Sequence, residues 1–231
     1  MKKVILSGVL VLNMTSVFAQ KFTWDKHEFE AVNTKAAIVN MDGVQVLKVQ
    51  RDLIAFPFDE KNIDTSTDGP TYVKLTNVAM ENGTIEVKML SRIIENFPFP
   101  AARGFIGVAY RVDQENKNFD AIYLRPSNGR ADDQLRRNHT IQYFSYPGNT
   151  FGRLRKEANG LYETYADIGL NEWIDVRIEL QDKKAVLYIN NQKSPSFIVT
   201  KMLGTSKTGS IALWVEIGTV GYFKDLKVTK K

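Results

Sequence analysis

Glu172-Trp173-Ile174-Asp175-Val176-Arg177-Ile178-Glu179-Leu180, then Gln181-Asp182-Lys183-Lys184, then Ala185-Val186-Leu187-Tyr188-Ile189-Asn190 is the stretch that decides the fold class. In its first run Ile174, Val176, Ile178 and Leu180 alternate with Trp173, Asp175, Arg177 and Glu179. Successive side chains of a strand point to opposite faces, so a period of two buries one face and wets the other. The polar interval 181–184 turns the chain, and the second apolar run returns beside the first. The segment 210–217 has the same pattern, with Ile211, Leu213, Val215 and Ile217 facing in and Ala212, Trp214 and Glu216 facing out.

Working outward, the same reading predicts strands over 36–40, 44–49, 72–77, 84–93, 104–112, 119–125, 140–146 and 222–229. Each is rich in Val, Ile, Tyr and Phe and is bounded by Gly, Asn, Asp or Pro. Met41-Asp42-Gly43 predicts a tight hairpin, because Asp-Gly tolerates positive φ. Only 131–137 reads as a turn or two of helix. Many short antiparallel strands with turn signals between them mean a two-sheet sandwich or a barrel. The polar run 59–70 and the proline-broken run 97–100 are loops rather than linkers. Phe56-Pro57-Phe58 and Phe97-Pro98-Phe99 look alike without a recurring period.

The chain has 231 residues, no cysteine and a formal charge of +5. Lys2 and Lys3, an apolar run and small residues ending at Ala19 have the order of a secretory leader. The expectation is a signal peptide over 1–19 and one β-sandwich domain over 20–231, exported to the periplasm or beyond the cell. Removing the two leader lysines leaves 29 basic against 26 acidic side chains, a small excess. No apolar run reaches the roughly 20 residues of a membrane span, so no membrane association is expected after cleavage. Without cysteine, thiolate catalysis, disulfides and Cys-based zinc sites are excluded.

The middle of the chain has a different texture. Phe105, Gly107, Ala109 and Arg111 share one face of their strand, and Phe119, Ala121, Tyr123 and Arg125 share one face of theirs. Small residues beside Arg and Tyr predict a shallow polar trough if the two strands are neighbours.

The 172–190 hairpin, with Thr208-Gly209-Ser210-Ile211-Ala212-Leu213-Trp214 and Tyr222-Phe223-Lys224-Asp225-Leu226-Lys227-Val228, resembles the laminin-G-like and concanavalin A-like sandwich families. It is most similar to the secreted bacterial branch called 3-keto-disaccharide hydrolase-like, over about 104–229. The resemblance implies an all-β fold, a jelly-roll of two curved antiparallel sheets whose concave face often holds carbohydrate. It does not imply catalysis, since one fold hosts lectins, enzymes and adhesion modules.

Candidate chemistry concentrates in 123–139. Sugar recognition needs planar groups that grip adjacent hydroxyls and an aromatic ring for the apolar C–H face. Arg111, Arg125, Asn128, Arg130, Arg137 and Gln142 supply the first; Tyr123, Tyr143 and Trp214 supply the second. For catalysis the candidates are His139 as a base beside an arginine, with Asp133 and Glu216 as carboxylates. The sandwich glucanases' Glu-x-Asp-x-x-Glu is absent, so hydrolysis of that type is not expected. Gly-x-Ser-x-Gly does not occur, and two histidines without cysteine argue against catalytic zinc. No cofactor is certain; calcium stays open, because laminin-G-like domains often carry it on loop oxygens. Nucleic acid is not expected: Asp132 and Asp133 interrupt the basic stripe of Arg130, Arg136, Arg137 and the later Arg153, Arg155 and Lys156, and the overall charge is small. The ligand expected is a glycan or glycoside. The alternative is a non-catalytic module that meets another protein, which predicts an exposed apolar patch.

Overall fold

The computed structural model describes residues 20–231; the expected leader lies outside the described residues. In chain order the first elements are β1 (Lys21–Trp24), β2 (His27–Val32), β3 (Thr34–Met41), β4 (Val44–Arg51), α1 (Ile63–Ser66), β5 (Tyr72–Leu75) and β6 (Gly83–Ile93). Then come β7 (Ile106–Val112), β8 (Phe119–Leu124), α2 (Pro126–Gly129), α3 (Gln134–Asn138), β9 (Ile141–Tyr146), α4 (Phe151–Glu157) and β10 (Glu163–Thr164). The chain closes with β11 (Ile174–Gln181), β12 (Lys184–Ile189), β13 (Phe197–Val199), β14 (Ser210–Val215) and β15 (Thr219–Lys230).

The strands form two antiparallel sheets. One has eight strands in the order β1-β2-β5-β14-β7-β8-β9-β10; the other has seven, in the order β13-β12-β11-β6-β15-β4-β3. This is the jelly-roll sandwich that the alternation and the resemblance predict. The deciding hairpin forms as read: Gln181 pairs with Lys184, and Asp182 takes the positive φ of a two-residue turn. Asp42 and Gly43 do the same between β3 and β4, where the Gly43 amide donates to Asn40 Oδ1. β1, β2, β10 and β13 fall outside the sequence-predicted strands, and so do three of the four short helices. Only α3 overlaps the expected 131–137, running one residue past its end. Among the described residues no helix is long and apolar enough to cross a membrane.

The two sheets treat burial differently. β11 alternates buried and half-buried residues along its length, with Ile174, Val176, Ile178 and Leu180 inside. In β7 and β8 every residue is buried. Ile106, Val108, Ile122, Leu124, Leu213 and Val215 pack against the facing sheet through Ile85, Val87, Ile174 and Val176. On the opposite face of the same sheet Tyr72, Phe119, Tyr123, Phe144 and Trp214 form a second, separate core.

This second core replaces the expected polar trough. β7 and β8 are neighbours, with Gly107 opposite Tyr123 and Ala109 opposite Ala121. The small residues make room for rings rather than for ligand: a Cβ on Gly107 would come within 2.5 Å of the Tyr123 Cβ. Segment 52–71 crosses this face and seals it. Trp214 Nε1 donates to the Gly69 carbonyl at 2.9 Å, and Gly69 sits so close to the Phe56 ring that any side chain there would collide with it. Arg51 Nε and Nη2 hold the start of the segment by its Phe56 and Pro57 carbonyls. The similar Phe-Pro-Phe motifs meet here, with the Phe58 and Phe99 rings 4.7 Å apart.

Candidate functional site

At one end of the second core a cavity of about 250 Å³ remains open. It lies where β8 and β14 end and β7 begins, under segment 52–71 and beside α2, α3 and α4. Alternation puts Phe105, Tyr123, Arg125 and Glu216 on the sheet face that points there, and all four line the cavity. Phe99, from a loop, and Phe151, the first residue of α4, add apolar walls.

Arg125 is the centre of the site and is almost wholly buried. Its Nη1 donates to the His139 carbonyl at 3.1 Å and to Gln142 Oε1 at 3.4 Å, and its Nη2 donates to the Tyr123 hydroxyl. Its guanidinium lies 4.6 Å from the Tyr123 ring centre and 5.5 Å from that of Phe151. Burial lowers its affinity for a proton, and Arg155 nearby adds repulsion. Buried charges persist when hydrogen-bonded and paired, and here hydrogen bonds and aromatic faces supply that support.

His139 closes the C-terminal end of α3. Its Nδ1 lies 2.6 Å from Glu163 Oε2. Arg155 Nε donates to the same Glu163 oxygen at 2.8 Å. Burial, and then the Arg155 charge, hold the imidazole below its usual pKa against the pull of Glu163. Asn128, on α2, donates to the His139 carbonyl at 3.3 Å.

Two carboxyls complete the lining. Glu216 is ion-paired with Arg51 and accepts from the Ile217 amide at 2.8 Å, while its Oε2 is buried without a protein partner. Burial pushes its pKa up and Arg51 pulls it back. Asp68 is fully enclosed; burial raises its pKa to about 7, opposed by the Phe151 amide and by Arg125 and assisted by Glu216.

Of the sequence-predicted site residues the cavity therefore gathers His139, Glu216, Tyr123, Arg125 and Asn128, with Gln142 buried directly behind Arg125. The others lie elsewhere. Arg111 is at the far end of β7, where it donates to the Glu81 and Asp182 carbonyls. Arg130 is exposed, bound to Asp167 and, by both Nη atoms, to Glu172. Arg137 donates to the Tyr165 hydroxyl at 2.8 Å and lies over its ring. Asp133 caps α3, accepting from the Arg136 amide at 3.0 Å. Tyr143 faces the opposite sheet, its hydroxyl bonded to Asp120. Trp214 is fully buried in the second core and offers no face to a sugar. Sequence reading did not single out Asp68 or Arg103, and placed Arg136 and Arg155 only in a basic stripe. Six arginines in 125–155 that do not fit a helical stripe were the available signal.

Calcium does not fit this cavity. Its wall presents guanidinium donors, and among the described residues no three His, Asp or Glu side chains gather as ligands.

No family model matches the chain, and no curated protein does. Solved structures do match. The carbohydrate-binding module CBM66 from Bacillus subtilis superposes with a TM-score of 0.55 at 13% identity, covering 87% of this chain and 94% of the module. The Bacillus licheniformis beta-glucanase gives 0.45 at 10% identity, covering 95% of each chain. The Caenorhabditis elegans galectin LEC-6 gives 0.39 at 8%, covering 67% of this chain and 91% of the galectin. The likeness to the first of these is one of fold, and by fold this chain is a two-sheet jelly-roll sandwich.

Proposed function

We propose that this is an exported carbohydrate-binding sandwich protein that takes one sugar residue of a glycan or glycoside into the cavity around Arg125. At finer grain we place it with the 3-keto-disaccharide hydrolase-like sandwiches that its sequence resembles. The observation that carries the reading is the cavity's make-up: aromatic rings of Phe99, Phe105, Tyr123 and Phe151 facing fixed planar donors. Its roughly 250 Å³ is below the range of about 300–1,000 Å³ that buries drug-sized molecules, which matches a single ring. The fold likeness to a carbohydrate-binding module is in keeping with it. The cavity also holds an imidazole whose pKa burial lowers and a carboxyl whose pKa burial raises to about 7, the two proton-transfer groups that cleavage would use.

A second reading, a module that meets another protein, draws on Leu53 and Ile54, exposed beside Ile94 and Phe97. One incubation separates the two. Protein starting at Gln20 is mixed with a panel of oligosaccharides and 3-keto-glycosides, and the retained and released fractions are weighed by mass spectrometry. Retention that disappears in Arg125→Ala supports the carbohydrate reading, and new masses that disappear in His139→Ala make it an enzyme. No retention and no new mass across the panel overturns the carbohydrate reading.

A further inference from the structure

The cavity around Arg125 carries more positive charge than a neutral sugar requires. Arg103, Arg125, Arg136 and Arg155 reach it from four separate segments, against Asp68 and Glu216 as the only acids that line it among the described residues. Those acids do little to balance them. Glu216 is already engaged by Arg51, and enclosure drives Asp68 toward its neutral form. Glu163, behind the wall, is shared between Arg155 and His139. Burial and the neighbouring Arg136 and Arg125 charges both depress Arg103, so the guanidiniums are close enough to repel.

Arg103 spends Nη1 on the Pro100 and Ala102 carbonyls, but much of the hydrogen-bonding capacity of Arg136 and Arg155 is unspent. Arg136 Nε is buried with no partner, and its Nη2 makes only a long 3.5 Å contact with Asn128 Oδ1. Arg155 uses its Nε on Glu163, and no bond to another described residue engages its two terminal nitrogens. A guanidinium is a fork of donors without an acceptor, matched to the paired oxygens of a carboxylate or of a sulfate or phosphate ester. Crowding like charges in a half-buried site is unfavourable without a counter-charge; Arg155 shares Glu163 with His139, while no ion pair among the described residues engages Arg103 or Arg136.

We propose that the sugar residue entering this cavity carries an anionic group, held among Arg103, Arg136 and Arg155 while its ring packs on Phe105 and Phe151. This rests on the carbohydrate reading and narrows it to acidic glycans, whether uronic acids or sulfated sugars.

The test is calorimetric titration of the full mature protein with three oligosaccharides of one length and linkage: neutral oligogalactoside, oligogalacturonide and sulfated oligogalactoside. Binding of either acidic ligand at least about tenfold tighter than the neutral one, and weakening with added salt, is the expected result. Arg103→Gln and Arg136→Gln should each remove about tenfold from the acidic ligand alone, while Arg130→Gln, outside the cavity, changes nothing. Whichever acidic arm binds identifies carboxylate or ester as the group. Melting curves show that each variant is folded. Neutral ligand bound equally well or better overturns this inference and leaves the carbohydrate reading standing; no binding in any arm overturns both.

Discussion

Asp68 Oδ2 accepts a 2.6 Å hydrogen bond from the Phe151 backbone amide, joining segment 52–71 to α4 across 83 positions of sequence. The carboxyl that makes this bond has a pKa near 7 against 3.8 when free. The folded state therefore holds a proton that the unfolded state has released between about pH 4 and 7, and stability falls as pH rises through that window. Asp68→Asn keeps an oxygen for the Phe151 amide and removes the titration. The variant should be more stable than the parent at pH 8 and indistinguishable near pH 4, by urea unfolding. Parallel stability curves would show that Asp68 does not titrate in this range.

Arg51 and Glu216 form an ion pair in which both side chains are almost wholly buried. Removing one partner strands the other, at a cost of roughly 3–5 kcal/mol. Arg51→Ala should lose that much, part of it from the freed Phe56 and Pro57 carbonyls. Adding Glu216→Gln should recover some of the loss, because the stranded charge is gone. A double-mutant cycle in urea reads the coupling; strict additivity would mean that the pair is energetically idle.

Gly107→Ala places a methyl group within 2.5 Å of the Ile122 carbonyl and the Tyr123 Cβ. Neither is the free end of a flexible side chain, so β7 and β8 must part. We expect a loss of about 1–3 kcal/mol, typical of overpacking. Glycan affinity should fall with it, since Tyr123 supports Arg125. A variant with unchanged melting temperature and affinity would refute the tight β7–β8 contact.

Trp214→Phe removes the 2.9 Å bond to the Gly69 carbonyl and leaves a small void. The expected cost is about 1–3 kcal/mol, with oligosaccharide affinity within twofold of the parent. A large loss of affinity at full stability would return Trp214 to the binding surface.

How much could be read from the sequence depended on how many faces of a strand are covered. β11 and β12 show their alternation plainly, because one face meets solvent. In β7 and β8 both faces are buried, and Gly107, Ala109 and Ala121 then read as an open floor when they are the spaces into which rings from adjacent strands fit. Tyr123, Arg125, Asn128 and His139 were found because a polar segment followed a strand directly. Asp68 was hidden by its neighbours: among Asp, Ser, Thr and Gly it looks like an ordinary surface turn. Its burial depends on Phe151, which no local pattern connects to it. Asp133 and Arg130 had the right chemistry and the wrong geometry, one spent on a helix cap and the other on a surface ion pair.

The seal over Trp214 and Tyr123 divides the labour of the molecule. The inter-sheet core alone suffices to define a sandwich, so the layer under segment 52–71 is free to vary within the volume it must fill. Exchanging that segment together with the 97–105 loop and α3 would re-form the mouth of the cavity while the architecture below stays fixed. A protein arranged in this way can acquire a new ligand by replacing its cover and keeping its frame.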